Sequence, residues 1–176
     1  MRILEPSAGT GRLIDALDAV PGVDVVAVEI SHTLADNLRR RSQTRTDVRC
    51  ADFLALTPDD LGTFDRIVMN PPFERGSDIK HIEHARGFLK PGGRLVAVCA
   101  NGPRQREKLQ PIAAEWIDLP AGTFAEQGTG VNTAPRGDRR RAGNRAQRAG
   151  THRLGRRLSF RKVAGWDARA GRINYA

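Results

Sequence analysis

The chain has 176 residues, 29 of them Lys or Arg and 20 Asp or Glu, for a formal net charge of +9. That length supports one α/β core and is short for two domains. No apolar run approaches the roughly 18 residues that cross a bilayer, and the start lacks the basic-then-apolar pattern of a secretory signal, so the expected compartment is the cytoplasm, with no membrane partner. Cys50 and Cys99 are the only cysteines and both lie in apolar stretches, which argues against a disulfide framework.

The positive charge is localised. Residues 135–176 hold 13 Lys/Arg against 2 Asp/Glu, which leaves 16 against 18 for residues 1–134. The first part is nearly neutral and the tail alone is basic.

In chain order, residues 1–134 alternate apolar runs with helical patterns, as expected for βαβ units around a parallel sheet. Arg2–Glu5 reads as a first strand, entering a glycine-rich turn and a helix from about Gly11 to Ala19. Val23–Val28 is a buried second strand after the Pro21-Gly22 turn. Ser31 is a suitable N-cap for a helix through Arg41. Val48–Cys50 is a short third strand, and Phe64–Met69 a fourth that breaks at Asn70-Pro71-Pro72. Ser77 is expected to cap a helix carrying Ile79, Ile82, Ala85 and Leu89 on one face. Lys90-Pro91-Gly92-Gly93 ends that helix in a turn, and Arg94–Ala100 is a fifth strand. A helix near Arg104–Ala114 and a strand near Trp116–Leu119 follow, and Val131–Thr133 starts a further strand that stops at Pro135.

Residues 135–176 are rich in Arg, Ala and Gly and keep no period of 2 or 3.6. Such a segment cannot bury enough apolar area to offset its ordering entropy, so disorder is expected there. The expected fold class is therefore an open, mostly parallel Rossmann-like sheet with helices on both faces over residues 1–134, followed by a disordered basic tail.

The candidate site residues lie where these strands end, which is where open α/β sheets bind ligands. Glu5-Pro6-Ser7-Ala8-Gly9-Thr10-Gly11 forms a strand–turn–helix junction in which glycine permits tight turning and close approach of a ligand. The third glycine of a dinucleotide fingerprint is replaced by Ile14, which argues against a nicotinamide-dependent oxidoreductase. Glu29, 18 residues past Gly11, can accept both hydroxyls of a ribose. Asp52 can accept from an adenine amine, and Phe53 can cover the ring or simply pack in the core. Asn70-Pro71-Pro72-Phe73 carries the most information. The prolines hold the chain extended, so the Asn70 amide and the Pro71 carbonyl can converge on one point. Two acceptors on the hydrogens of an exocyclic amine favour its pyramidalisation, and Phe73 offers an apolar face to a planar target. His81 and His84, which flank Glu83, match no strong zinc spacing and read as solvated helix residues, so no metal is expected. The two cysteines and Trp116 read as core.

On these motifs, residues 1–134 resemble the class I S-adenosylmethionine-dependent methyltransferases of the Asn-Pro-Pro-Phe/Tyr, amino-methylating branch. The resemblance implies S-adenosyl-L-methionine (SAM) as cofactor, held by Glu5, Ser7, Gly9, Gly11, Glu29, Asp52 and Phe53, with Asn70, Pro71, Pro72 and Phe73 engaging the amine. It implies an adenine amine in nucleic acid as acceptor, DNA ahead of RNA. The alternatives within the branch are the guanine amine of ribosomal RNA and a protein glutamine amide. Two departures stand out: there is no helix before Arg2, and the closing strands are interrupted at Pro135. The domain is therefore expected to be truncated at both ends. Residues 135–176 read either as an out-of-frame or fused remnant, or as a basic arm for nucleic acid on an inactive fragment.

Overall fold

Short apolar runs that are buried on both faces set the architecture. A computed structural model of the chain describes residues 1–42 and 45–119, together with the backbone of three short strands at 157–160, 166–167 and 172–173. Strands β1 (Arg2–Glu5), β2 (Asp24–Glu29), β3 (Thr46–Cys50), β4 (Phe64–Met69) and β5 (Leu89–Ala97) lie parallel in the order β3-β2-β1-β4-β5. Helices α1 (Arg12–Asp18), α2 (His32–Arg41), α3 (Pro58–Leu61), α4 (Ser77–Ala85) and α5 (Pro103–Lys108) connect or follow them. This is the Rossmann-like α/β arrangement expected from the alternating pattern.

Alternation along each strand divides the core into two layers. Ile3, Val25, Ala27, Val48 and Val68 pack with Ile14 and Leu17 of α1 and Leu38 of α2. Leu4, Val26, Val28, Ile67, Met69 and Leu95 pack on the opposite face with Ile79 and Ile82 of α4 and with Phe53, Phe64 and Phe88. Each fully buried Leu, Ile or Phe contributes about 1.5–3 kcal/mol.

Several boundaries differ from the sequence reading, each for a local reason. The fifth strand begins at Leu89 and ends at Ala97. Leu89 pairs with Phe64 and Arg94 with Arg66, so Lys90–Gly93 bulges outward between two paired positions of one strand. Ser77 is the first residue of α4, and left-handed Gly76 holds the cap position; the Ser77 hydroxyl lies 3.2 Å from His81 Nδ1. The expected helix near Arg104–Ala114 stops at Lys108 and continues only as a 3-10 turn, Gln110–Ile112, because Pro111 has no N–H for a further helical bond. Helix α3 was not anticipated, since a single turn shows no periodicity. It is held by a capping box in which Asp60 Oδ2 accepts from the Thr57 amide (2.7 Å) and hydroxyl (2.8 Å). Strand β6 (Glu115–Trp116) begins one residue before its expected position and is two residues long.

Within 135–176, strand β7 (Arg157–Phe160) pairs with β5 on one side and β6 on the other, and β8 (Trp166–Asp167) pairs with β9 (Arg172–Ile173). The expectation of disorder covers all of 135–176, these three strands included; the rest of that segment and the expected strand at Val131–Thr133 lie outside the described residues. Among the described residues, no helix is long and apolar enough to cross a membrane.

Phe88 is fully buried and its ring meets those of Phe53 at 5.2 Å and His84 at 5.3 Å. Phe88→Ala is therefore expected to destabilise the fold by about 3–5 kcal/mol. Urea denaturation would read this as a fall in the midpoint at constant slope; a loss under 1 kcal/mol would show that this layer is not the core.

Candidate functional site

The carboxyl ends of β1, β2, β3 and β4 meet along one edge of the sheet, and all the candidate residues lie there. After β1 the chain turns through Gly9 (φ 53°) and Gly11 (φ 81°), both left-handed. A side chain at Gly11 would run into Leu38 and the Arg41 guanidinium of α2, so this glycine lets α1 close against α2. Gly9 differs: a Cβ there would meet only the Ser7 carbonyl, at 4.0 Å. Its face of the turn is open to a ligand that needs close backbone approach.

Glu29 ends β2 and ties two turns together. Its Oε2 accepts from the Gly9 amide at 2.7 Å and its Oε1 from the Ser31 amide at 2.8 Å. Each oxygen retains a second lone pair, so the carboxylate can still accept from two hydroxyls. The Ser31 hydroxyl in turn accepts from the Leu34 amide at 3.4 Å and caps α2, as the sequence suggested.

Glu5 lies beneath the turn, 1 % exposed. Its Oε1 accepts from the Ser7 amide at 3.3 Å, and its Oε2 is buried with no hydrogen-bond partner. Burial, reinforced by the neighbouring charge of Glu29 and opposed by the Ser7 amide, pushes its carboxyl up to about 8. A carboxyl with one unpaired oxygen at the floor of a turn is suited to a ligand that supplies a cation or a donor, which would favour its ionised form.

At the end of β3, Asp52 Oδ1 accepts from the Leu54 amide at 2.9 Å and caps the 3-10 turn Phe53–Ala55. Asp52 thus reaches this edge as expected, with one oxygen committed. Phe53 takes the core position of its two readings. It is 3 % exposed and its ring turns into the core against His84 (4.9 Å) and Phe88. The apolar side chains that this edge presents are Ile30, 67 % exposed, and Leu54, 37 % exposed. Sequence reading missed both; an isoleucine directly after a strand-end acid was the available signal.

Asn70 follows β4 directly. Its Oδ1 is buried and has no hydrogen-bond partner. A buried amide oxygen left unpaired costs about 1–3 kcal/mol unless something donates to it, so this atom is poised for an incoming N–H. Pro71 is buried, Pro72 exposed and Phe73 half-exposed, so the loop runs from the core to the surface. Left-handed Arg75 (φ 52°) and Gly76 (φ 75°) then reverse it into α4.

The two histidines are only partly exposed, and both are hydrogen-bonded. His84 Nε2 faces the carbonyls of Phe53 (3.1 Å) and Leu56 (2.9 Å), which fixes its proton on that nitrogen, and His81 Nδ1 lies 2.8 Å from the Ser77 carbonyl. His84 thus fastens α4 to the turn after β3, whereas His81 bonds back to the first residue of its own helix. Among the described residues, no three His, Cys, Asp or Glu converge as a metal ion requires. Cys50 and Cys99 are only partly buried. Burial, then the charge of Asp78, pushes the Cys99 thiol up to about 12, which keeps it a thiol.

Over residues 3–93 the chain matches the family described as Methyltransferase domain. No curated protein sequence matches. Among solved structures, a candidate RNA methyltransferase of Pyrococcus horikoshii is 21% identical with a TM-score of 0.50, covering 64% of this chain and 56% of that one. A predicted O-methyltransferase of Agrobacterium tumefaciens is 22% identical with a TM-score of 0.49, covering 62% and 58%. A DhpI–SAM–HEP complex is 22% identical with a TM-score of 0.48, covering 62% and 51%. The chain thus spans little more than half the length of these structures.

The position of Glu5 makes stability depend on pH. Its pKa rises from 4.5 to about 8 on folding, so between those values the folded chain keeps a proton that the unfolded chain has lost. The stabilisation is full below pH 4.5 and is lost as pH rises through 8. Glu5→Gln should remove a decline of up to about 1.4 kcal/mol per pH unit in that window. Denaturation curves at several pH values would show this as convergence of wild type and variant at low pH and separation, variant more stable, at high pH. Parallel curves would mean that Glu5 is not buried as described.

Proposed function

Given that the chain belongs to the methyltransferase-domain family, we propose that it transfers the methyl group of SAM to an exocyclic amine, in the first instance that of adenine in nucleic acid, DNA ahead of RNA. The observation that carries this reading is the buried, unpartnered Oδ1 of Asn70 at the carboxyl end of β4, on the sheet edge that β4 shares with β1 and its Gly9 turn.

The residues present fit SAM. The open face of Gly9 admits close approach to the backbone. Glu29 has acceptor capacity for two ribose hydroxyls, Glu5 Oε2 lacks a donor, and exposed Ile30 and Leu54 supply apolar faces for a planar base, with Asp52 beside them. When bound, SAM supplies an electrophilic methyl on a sulfonium. The chain's own contribution is alignment. Asn70 Oδ1 accepts one amine hydrogen and the Pro71 carbonyl the other, which turns the nitrogen lone pair toward the methyl. Phe73, half-exposed at the mouth of the loop, stacks on the ring that carries the amine. Alignment of this kind supplies about 7–11 kcal/mol of barrier reduction when geometry is good. No general base is required, because the methylated nitrogen sheds its proton readily to solvent. An adenine in a duplex would first have to leave the stack, at about a few kcal/mol.

Asn70→Ala is expected to lower turnover by about 10–100-fold while leaving SAM affinity unchanged, since the lost hydrogen bond forms to the amine. Glu29→Ala is expected to do the reverse first, weakening SAM binding by about 1.5–3 kcal/mol. Calorimetry with SAM and a labelled-methyl assay on adenine-containing DNA separate the two effects. Normal turnover in Asn70→Ala would reduce the loop to a strand terminator.

A further inference from the structure

We propose that Asp78 is a positioning residue, whose buried carboxylate clamps the Asn70–Phe73 loop through the segment that follows β5. This rests on the amine-methylating reading only for its consequence on turnover; the clamp itself is structural.

Asp78 is 0 % exposed, the most deeply buried charged side chain among the described residues. Its Oδ2 accepts from the Ala100 amide at 2.9 Å, and Gln105 Nε2 donates to both of its oxygens, at 3.1 and 3.0 Å. Oδ1 also accepts from the Ile79 amide at 2.9 Å. Gln105 is itself buried, on α5. A side chain at Gly102 would meet Gln105 Oε1 at 2.8 Å, so the glycine there leaves room for the amide to reach Asp78.

The placement of these bonds relates them to the site. Val98 donates to the Met69 carbonyl at 3.0 Å, one residue before Asn70. Ala100 donates to Asp78, five residues after Phe73. The stretch 98–100 is therefore stitched to the chain on both sides of the Asn-Pro-Pro-Phe loop, once through backbone and once through a carboxylate. Between those stitches the loop carries left-handed Arg75 and Gly76 and exposed Pro72, which give it no sheet pairing of its own. A carboxylate with four charge-assisted contacts is a firm anchor in a dry interior. Without it, the stretch 98–100 keeps the Met69 bond but loses its tie to the far side of the loop. The SAM cradle stands apart from this network, because its bonds run between β1, β2 and their turns. Asp78 should therefore govern methyl transfer without governing SAM affinity.

The full chain is compared with Asp78→Asn and with the exchanged pair Asp78→Asn/Gln105→Glu, which restores a donor facing a carboxylate and keeps the buried charge. Hydrogen exchange of segments 69–78 and 98–105 is measured against segment 2–29, alongside calorimetry with SAM and kinetics on adenine-containing single-stranded DNA. In Asp78→Asn, exchange of the two segments should quicken by about tenfold with segment 2–29 unchanged. SAM affinity should hold and kcat should fall by about 10–100-fold, and the exchanged pair should recover both. Unchanged exchange, an equal rise in segment 2–29, or loss of SAM affinity in step with kcat would overturn the clamp. If Asp78→Asn does not fold, Gln105→Ala, which removes only the amide donor, is scored by the same criteria. If wild type transfers no methyl to the DNA, the amine-methylating reading fails, and the exchange data still decide whether the clamp exists.

Discussion

A carboxylate between two backbone amides holds the cofactor edge of this molecule together. Glu29 ends β2, accepts from Gly9 in the turn after β1 and from Ser31 at the head of α2, and so fixes two neighbouring strand–helix turns relative to each other. The parallel pairing of β1 with β2 and of β2 with β3 brings those turns to the same edge, but pairing ends with the strands. Beyond them Glu29 acts together with the bond from the Ala8 amide to the Val28 carbonyl (2.9 Å) and with Arg41 of α2, which donates to the Thr10 carbonyl. Its negative charge also disfavours ionisation of Glu5 beneath the turn, after burial itself. The result is a floor with one acidic side chain that accepts from two amides and one oxygen of Glu5 that lacks a partner, an arrangement that suits a ligand with hydroxyl and amine donors.

The other half of the site obeys a different logic. Its acceptor is neutral: the Asn70 amide oxygen, buried and unpaired at the end of β4. A neutral acceptor orients an amine without drawing a full proton from it, which is what a poor nucleophile conjugated to a ring requires. The loop that carries it has no strand partner of its own, so its rigidity comes from prolines and from bonds to the segment after β5. The two halves are joined through the pairing of β1 with β4 in the sheet. That division of labour accounts for why cofactor retention and methyl transfer are expected to respond to different substitutions.

The sequence made the strand ends legible because their motifs are local. Strand-end acids, a glycine turn and Asn70-Pro71-Pro72-Phe73 each announce themselves within a few residues, and the order of buried runs fixed which edge they share. What stayed hidden depends on tertiary packing. Phe53 was open to two readings, ring cover or core; rings on α4 and in the turn after it draw it inward, and the exposed faces fall to Ile30 and Leu54. His81 and His84 were read as solvated because their spacing carries no metal signature; no sequence rule reveals that the Phe53 and Leu56 carbonyls lie opposite His84. Asp78 and Gln105 are 27 residues apart, and nothing in either neighbourhood marks them as partners. The helix and strand boundaries moved where one proline or one bulge outweighed periodicity, at Pro111 and at Lys90–Gly93.

The most direct measurement of the central claim is the chemical identity of the methylated atom. The full chain is incubated with methyl-labelled SAM and adenine-containing single-stranded DNA, the DNA is digested to nucleosides, and the label is located by chromatography and mass. The account predicts label on the exocyclic nitrogen of adenine, in amounts that grow with enzyme and time. Label on a ring nitrogen, a carbon or an oxygen would contradict it, as would a chain that binds SAM and leaves every base unmodified.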